Sequence, residues 1–462
     1  MICRATSVAV TLSLTRSLSE AGYGRVEFAF SVVFWLVLVV RDGFEVVAAR
    51  ELARHPRLAR PLVNHLLAVK LAVASVLYGV LVVGGLILLP GDAERAVLGI
   101  YGLLLFSTAC GIDYVYRGLE RMGIVALSLC VRTAIYAVGV GWLLSRGGLE
   151  GSRLAWIPCC LVVGEFLGIG LVWGRYVREF GWPRLAWDRR FLRVFLRRGR
   201  PVLLIQLAGT VLSSVDLMVV GFASSWASTG MFGAPHRMVA AVLTFGLIFQ
   251  QVVFPSLARS WRSTSAEGRR SMDSLVRILV LAMLPIAVGT TVLAGPLVRL
   301  MFPAGFAPAA ILLALGIWRA PLLTLGSLYG TALIALNREG AWVRLLGFTA
   351  IGSLPIVAGS LAAFGPAGAA GAVGITALVL VVGGYVCLAR EGRQPAWHHH
   401  LARPGVASTV MAMTCLAVRD RHVVVAVVSG AIAYGATLVA IGGVRRSDVE
   451  ALLGRRGSAT RG

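Results

Sequence analysis

Apolar residues in this chain come in long blocks separated by short segments rich in arginine, proline or glycine. A helix needs about 20 consecutive apolar residues to cross the hydrocarbon of a bilayer. Read this way, the blocks predict fourteen spans, over 5–19, 27–48, 64–89, 97–116, 123–145, 154–174, 201–222, 236–258, 277–298, 309–336, 342–364, 367–389, 404–418 and 422–443. The first and thirteenth are the weakest. The first is short and holds Arg16, as it would if the start codon lay too far downstream. No A-x-A-like cleavage site follows it.

Composition supports a membrane solution. Of 462 residues 58% are hydrophobic and only 14% charged, against roughly 25% charged in a soluble domain. No water-soluble core could absorb that much apolar surface. The expectation is an all-α polytopic membrane protein.

The net charge is +23, carried almost entirely by arginine; Lys70 is the one lysine. Placement explains it. Segments 49–63, 175–200, 259–277, 390–403 and 444–462 hold most of the arginines, while 90–96 and 223–235 are nearly free of them. That alternation is the positive-inside pattern and predicts both termini on the cytoplasmic side. The basic charge is therefore topogenic, and no nucleic-acid partner is expected. No loop is long enough for a soluble catalytic domain, so the chain is not expected to be an enzyme. There is no Walker motif, no phosphate-binding glycine loop and no credible Ser/His/Asp arrangement. The seven cysteines lack metal-ligand spacing, and His398-His399-His400 has no companion ligands, so neither a metal nor a cofactor is expected.

A weak internal repeat runs through the chain. Gly22-Tyr23-Gly24, ending in Ala49-Arg50, resembles Gly230-Met231-Phe232-Gly233, ending in Ala258-Arg259. Leu119-Glu120-Arg121-Met122-Gly123 resembles Leu336-Asn337-Arg338-Glu339-Gly340. Six spans separate the members of each pair, so orientation is kept and the halves are parallel repeats. The expected organisation is a six-helix half over 1–174, a basic linker over 175–200, a second six-helix half over 201–389, and two further helices with a tail over 390–462.

Charges inside spans cost free energy and so mark candidate function. Arg132 and Arg319 each lie about ten residues into a span. Either they line a cationic cavity for an anionic headgroup, or they form ion pairs, as Arg132 could with Glu165. Arg41, Asp42 and Glu45 interrupt the second span, and in the repeat Arg41 and Asp42 correspond to Gln250 and Gln251 of the eighth. Arg41 and Glu45, four apart on one helical face, are expected to neutralise each other in part; all five are cavity candidates, with polar packing between helices as the competing reading. Asp216 is a candidate for a coupling ion, or a solvated helix end. Lys70 is expected to snorkel to the interface, and His236 to be interfacial.

Several stretches, in order, resemble the polysaccharide-biosynthesis flippase family, the Wzx-type oligosaccharide transporters of the multidrug/oligosaccharidyl-lipid/polysaccharide exporter superfamily. They are Thr15-Arg16-Ser17-Leu18-Ser19-Glu20-Ala21-Gly22-Tyr23-Gly24, Ala48-Ala49-Arg50-Glu51-Leu52-Ala53-Arg54 and Arg117-Gly118-Leu119-Glu120-Arg121-Met122. In the second half come Val215-Asp216-Leu217-Met218-Val219-Val220-Gly221, Gly230-Met231-Phe232, Phe254-Pro255-Ser256-Leu257-Ala258-Arg259 and Leu336-Asn337-Arg338. The resemblance covers roughly 10–340. His236 departs from a position that is usually aromatic.

The resemblance implies a V-shaped bundle of two six-helix halves with two extra C-terminal helices, in a bacterial cytoplasmic membrane. It implies movement of an undecaprenyl-pyrophosphate-linked oligosaccharide by alternating access, for O-antigen, lipopolysaccharide or exopolysaccharide synthesis. The expected partners are lipid-linked oligosaccharide, membrane lipids, and the glycosyltransferases and polymerase of the same pathway. A multidrug/cation antiporter of the same fold is the nearest alternative, and a membrane glycosyltransferase or polysaccharide polymerase is the next.

Overall fold

The computed structural model describes residues 2–442 except 264, 393–394, 396 and 420. For some helical stretches, 42–43 and 247–263 among them, only the backbone is described. The described residues are helical almost throughout, with no strand among them. Ten of the described helices are long and apolar enough to cross a membrane, and the chain is a multi-pass membrane protein.

Local chemistry places the helix ends. α1 (Ile2–Ser17) gives way to α2 (Glu20–Arg54), where Ser19 Oγ accepts from the Gly22 amide at 3.2 Å, a side-chain N-cap. α2 stops at the His55-Pro56 pair, because a residue before proline is pushed out of the α region. α3 (Ala59–Leu88) ends the same way, before Pro90. α7 (Met122–Arg146) and α8 (Trp156–Phe180) end at Gly147 and Gly181, whose φ angles of 65° and 78° suit glycine. The expected boundary between the eleventh and twelfth spans is also real. α15 (Glu339–Arg390) is bent at Gly365, with φ 65° and ψ −160°, just before Pro366.

The predicted fourth span is three pieces: α4 (Asp92–Gly102), α5 (Leu104–Cys110) and α6 (Asp113–Gly118). The break after α5 frees two carbonyls, and both find donors. Trp173 Nε1 donates to Cys110 O at 2.9 Å, and Lys70 Nζ donates to Gly111 O at 3.0 Å. After α12 (Ala294–Met301), the predicted tenth span is likewise broken, into α13 (Ala309–Gly316) and α14 (Arg319–Ala335).

The chain divides into two compact units, 1–234 and 235–462. The first holds α1 to α8, α9 (Arg189–Ala223) and the first turns of α10 (Trp226–Ser263). There α2 and α10 cross with backbones nearly touching. A Cβ at Gly24 would collide with the carbonyl oxygen of Trp226, and one at Gly230 with that of Glu20. The relation is reciprocal and pairs Gly24 with Gly230, three residues from the Gly24–Gly233 match suggested by sequence. Gly233 instead faces the Glu27 side chain.

In the second unit α11 (Ser265–Val292) carries Pro285, which has no N–H for the carbonyl of Leu281. Tyr434, on α17 (Val423–Ala440), donates its hydroxyl to that oxygen at 2.8 Å. Beside it, α16 (Trp397–Val418) places Met411 and Cys415 in an apolar cluster with Leu293 and Ala426.

The second repeat anchor has a backbone signature. Glu120 and Asn337 are the positive-φ residues other than glycine among the described residues, and both sit at 58°. In each case the next amide reaches five residues back: Arg121 N to Tyr116 O and Arg338 N to Leu333 O, both 2.8 Å. Each arginine also pairs with a glutamate at a later helix end. Arg121 Nη1 lies 2.9 Å from Glu179, and Arg338 Nε 2.9 Å from Glu391. The two units thus repeat the same turn and the same clamp.

Candidate functional site

The first unit gathers charged side chains from five helices into two adjacent groups. In one, Glu45 of α2 accepts from Lys70 Nζ at 3.1 Å and from Arg117 Nη2 at 2.6 Å. Lys70 is 1% exposed and Glu45 7%, while Arg117 is 42% exposed. In the other, Arg132 of α7 donates from Nη2 to Asp113 at 3.0 Å, from Nη1 to Glu165 at 3.1 Å and from Nε to Ser128 Oγ at 3.1 Å. Ser128 in turn donates to Gly168 O at 2.8 Å.

The α7–α8 contact explains how a guanidinium fits there. Gly164 and Gly168 flank Glu165 as G-x-x-x-G, a spacing that lets membrane helices approach closely. A Cβ at Gly164 would lie 2.8 Å from Arg132 O, and one at Gly168 would overlap the Arg132 side chain. The glycine groove therefore houses the arginine, and Glu165 meets it from the same face.

The two groups join at the break between α5 and α6, where Gly111 receives Lys70 and Asp113 receives Arg132. Their charges are three cations against three carboxylates. Arg41, half-buried on α2, lies within electrostatic reach of Glu165 and adds a fourth cation. Asp113 Oδ1 is buried with no hydrogen-bond partner. The arrangement offers guanidinium groups to an anion and an open carboxylate oxygen to a cation.

Sequence expectations fare unevenly here. Of Arg41 and Glu45, one turn apart, Glu45 spends both oxygens on Lys70 and Arg117. Lys70 does not snorkel: a carboxylate and an open carbonyl hold it in the interior. The Arg132–Glu165 pair, one of the two readings, is formed, and Asp113 joins it. Lys70, Arg117, Asp113 and Ser128 were not among the candidates. A sole lysine within an apolar block, which must find a partner, was the available signal for one of them.

Arg319 lies at the first turn of α14 in the second unit, 2% exposed, with Nη2 2.8 Å from His236 Nδ1. Arginine can only donate, so His236 Nδ1 is the acceptor in this contact. His236 is thus a partner of Arg319. Asp216 is 2% exposed on α9, not at a solvated end. The side chains of Asp42, Gln250, Gln251 and His398 to His400 lie outside the described residues. No group of three or more His, Cys, Asp or Glu able to hold a metal occurs among the described residues.

Comparison with solved structures shows the fold. The lipid II flippase MurJ in an inward closed conformation is similar with a TM-score of 0.75 and 13% identity, over 94% of this chain and 96% of that one. An inward-facing multidrug resistance MATE family transporter of the MOP superfamily follows, with TM-score 0.69, 13% identity, and 84% and 93% coverage. The MATE multidrug transporter DinF-BH has TM-score 0.59 at 15% identity, over 85% and 92%. No curated protein matches the sequence. The family described as polysaccharide biosynthesis protein matches residues 7–261, more than half of the chain. The chain belongs to that family.

Proposed function

We propose that this protein is a transporter that carries a lipid-linked, pyrophosphate-bearing oligosaccharide from the cytoplasmic to the outer leaflet by alternating access, with no chemistry performed on the cargo. Both termini then lie in the cytoplasm and the arginine-rich segments face it. The observation that carries this reading is the Arg132 guanidinium, set inside a membrane-spanning helix pair with Arg41 and the Lys70–Arg117 group nearby. A planar guanidinium suits a phosphate oxygen pair, and removing it from water is costly enough to need a purpose. Arg319 of the second unit is the matching candidate there, and Gln250, Gln251 and Asp42 remain cavity candidates. Membership of a polysaccharide biosynthesis family supports a glycan cargo.

A second reading, a multidrug or cation antiporter, is favoured by one feature, the unpartnered Oδ1 of Asp113. Proteoliposomes holding the purified protein separate the two. A flippase exposes an inner-leaflet lipid-pyrophosphoryl oligosaccharide to an external glycosidase and leaves a cationic dye where it was. Dye movement driven by an ion gradient, with no glycan exposure, would reverse the assignment.

A further inference from the structure

Residues 182–200 form an ordered surface with two faces. Trp182, Leu185 and Trp187 project outward, 76%, 66% and 57% exposed. The segment is nonetheless tied down. Arg184 N donates to Asn64 Oδ1 at 2.9 Å, Ala186 N to Asn64 O at 3.3 Å, and His65 Nδ1 to Ala186 O at 3.2 Å. Aromatic rings continue the attachment: His65 stacks on Phe191 at 4.8 Å, Phe191 on Phe195 at 5.5 Å and Phe195 on Phe44 at 6.4 Å.

α9 then turns one charged stripe outward. Arg189, Arg193, Arg197 and Arg200 are spaced four, four and three apart, a single helical face, and all are exposed. Phe195 is buried and Phe191 half-buried on the opposite face. Over 182–200 there are seven arginines and one acidic residue, Asp188.

The depth of this surface follows from its neighbours. Asn64 and His65 lie at the start of the predicted third span, 64–89, and the apolar span within α9 begins at Val202. A bilayer whose edge meets these span ends sets the tryptophans where hydrocarbon gives way to headgroups, a level at which indole is favoured. It sets the arginine stripe beside them, at phosphate depth.

We infer that residues 182–200 are a binding surface for anionic phospholipid, with Trp182, Leu185 and Trp187 at the acyl boundary and Arg184, Arg189, Arg193 and Arg197 on the headgroup phosphates. A basic side chain near an anionic leaflet gains about fivefold in occupancy. Apolar anchors plus several such charges give selectivity for anionic over zwitterionic lipid. The ring stack ends at Phe44, next to Glu45, so the occupied surface adjoins α2, whose Glu45 pairs with Lys70 and Arg117.

The test uses the full chain in phosphatidylcholine nanodiscs containing brominated phosphatidylglycerol or brominated phosphatidylcholine. The fluorescence of Trp182 and Trp187 is obtained as the difference from a Trp182→Phe/Trp187→Phe variant. Brominated phosphatidylglycerol is expected to reach half-quenching at a mole fraction at least about fivefold lower than brominated phosphatidylcholine. In Arg184→Gln/Arg189→Gln/Arg193→Gln/Arg197→Gln, quenching should persist while the preference disappears. Equal quenching by the two lipids in the unmodified chain overturns the inference. Absence of quenching by either also overturns it and leaves an acidic protein partner as the occupant. Loss of the preference in 10 mM inorganic phosphate overturns it in favour of a free-phosphate site. If the variant alone fails to fold, the unmodified chain still decides.

Discussion

Lys70 and Glu45 face each other at 3.1 Å with 1% and 7% of their side chains exposed, a fully desolvated ion pair between the second and third helices. Such a pair adds little net stability over an apolar equivalent, but breaking it strands a charge. Lys70→Met should therefore destabilise the protein by about 3–5 kcal/mol, because Glu45 keeps only the half-exposed Arg117. Glu45→Gln/Lys70→Gln should recover most of that loss. Thermal unfolding in one lipid mixture measures both, and a single variant as stable as the double would contradict the pairing.

Gly168 is the wall against which Arg132 lies. Gly168→Ala should cost about 1–3 kcal/mol by overpacking and displace the guanidinium from Glu165. Gly170→Ala, on the same helix with nothing within 4 Å of a new Cβ, should be neutral or slightly stabilising. Unfolding midpoints of the two variants check the contrast; equal midpoints would remove the groove from the account.

Tyr434 and Pro285 should be coupled. Tyr434→Phe leaves Leu281 O without its donor and should cost about 1–3 kcal/mol. In a Pro285→Ala background the helix supplies its own N–H to that oxygen, so the same change should cost well under 1 kcal/mol. A double-mutant cycle reads the difference directly, and additive effects would refute the link.

Glu120 and Asn337 carry the same φ of 58°, but asparagine tolerates the left-handed region better than glutamate. Glu120→Gly should raise stability by up to about 1 kcal/mol, and Asn337→Gly by less. Chemical unfolding of each variant tests the order, which a larger gain at Asn337 would reverse.

How far the sequence could be read depended on how local the cause was. Block lengths and the proline and glycine positions placed most helices, including the break at Gly365, because those signals act within a few residues. The repeated turn at Glu120 and Asn337 was visible for the same reason. The contact between Gly24 and Gly230 was not, since sequence similarity aligned Gly24 with Gly233 and carries no information on crossing geometry. The burial of Lys70 is not legible along its own helix. Its partners, Glu45 and the open Gly111 carbonyl, come from two others. The role of Asp113 is hidden in sequence because an unbroken fourth span, 97–116, sets Asp113 near its end. The break after α5 turns it inward to Arg132.

The central claim is that guanidinium groups within the membrane-spanning units move an anionic, lipid-linked glycan. The most direct measurement is translocation of a lipid-pyrophosphoryl oligosaccharide in proteoliposomes by Arg132→Ala/Arg319→Ala, at matched protein incorporation. Transport lost by at least about tenfold, with the protein still folded in the bilayer, is the predicted result. Translocation at the unmodified rate would contradict the account.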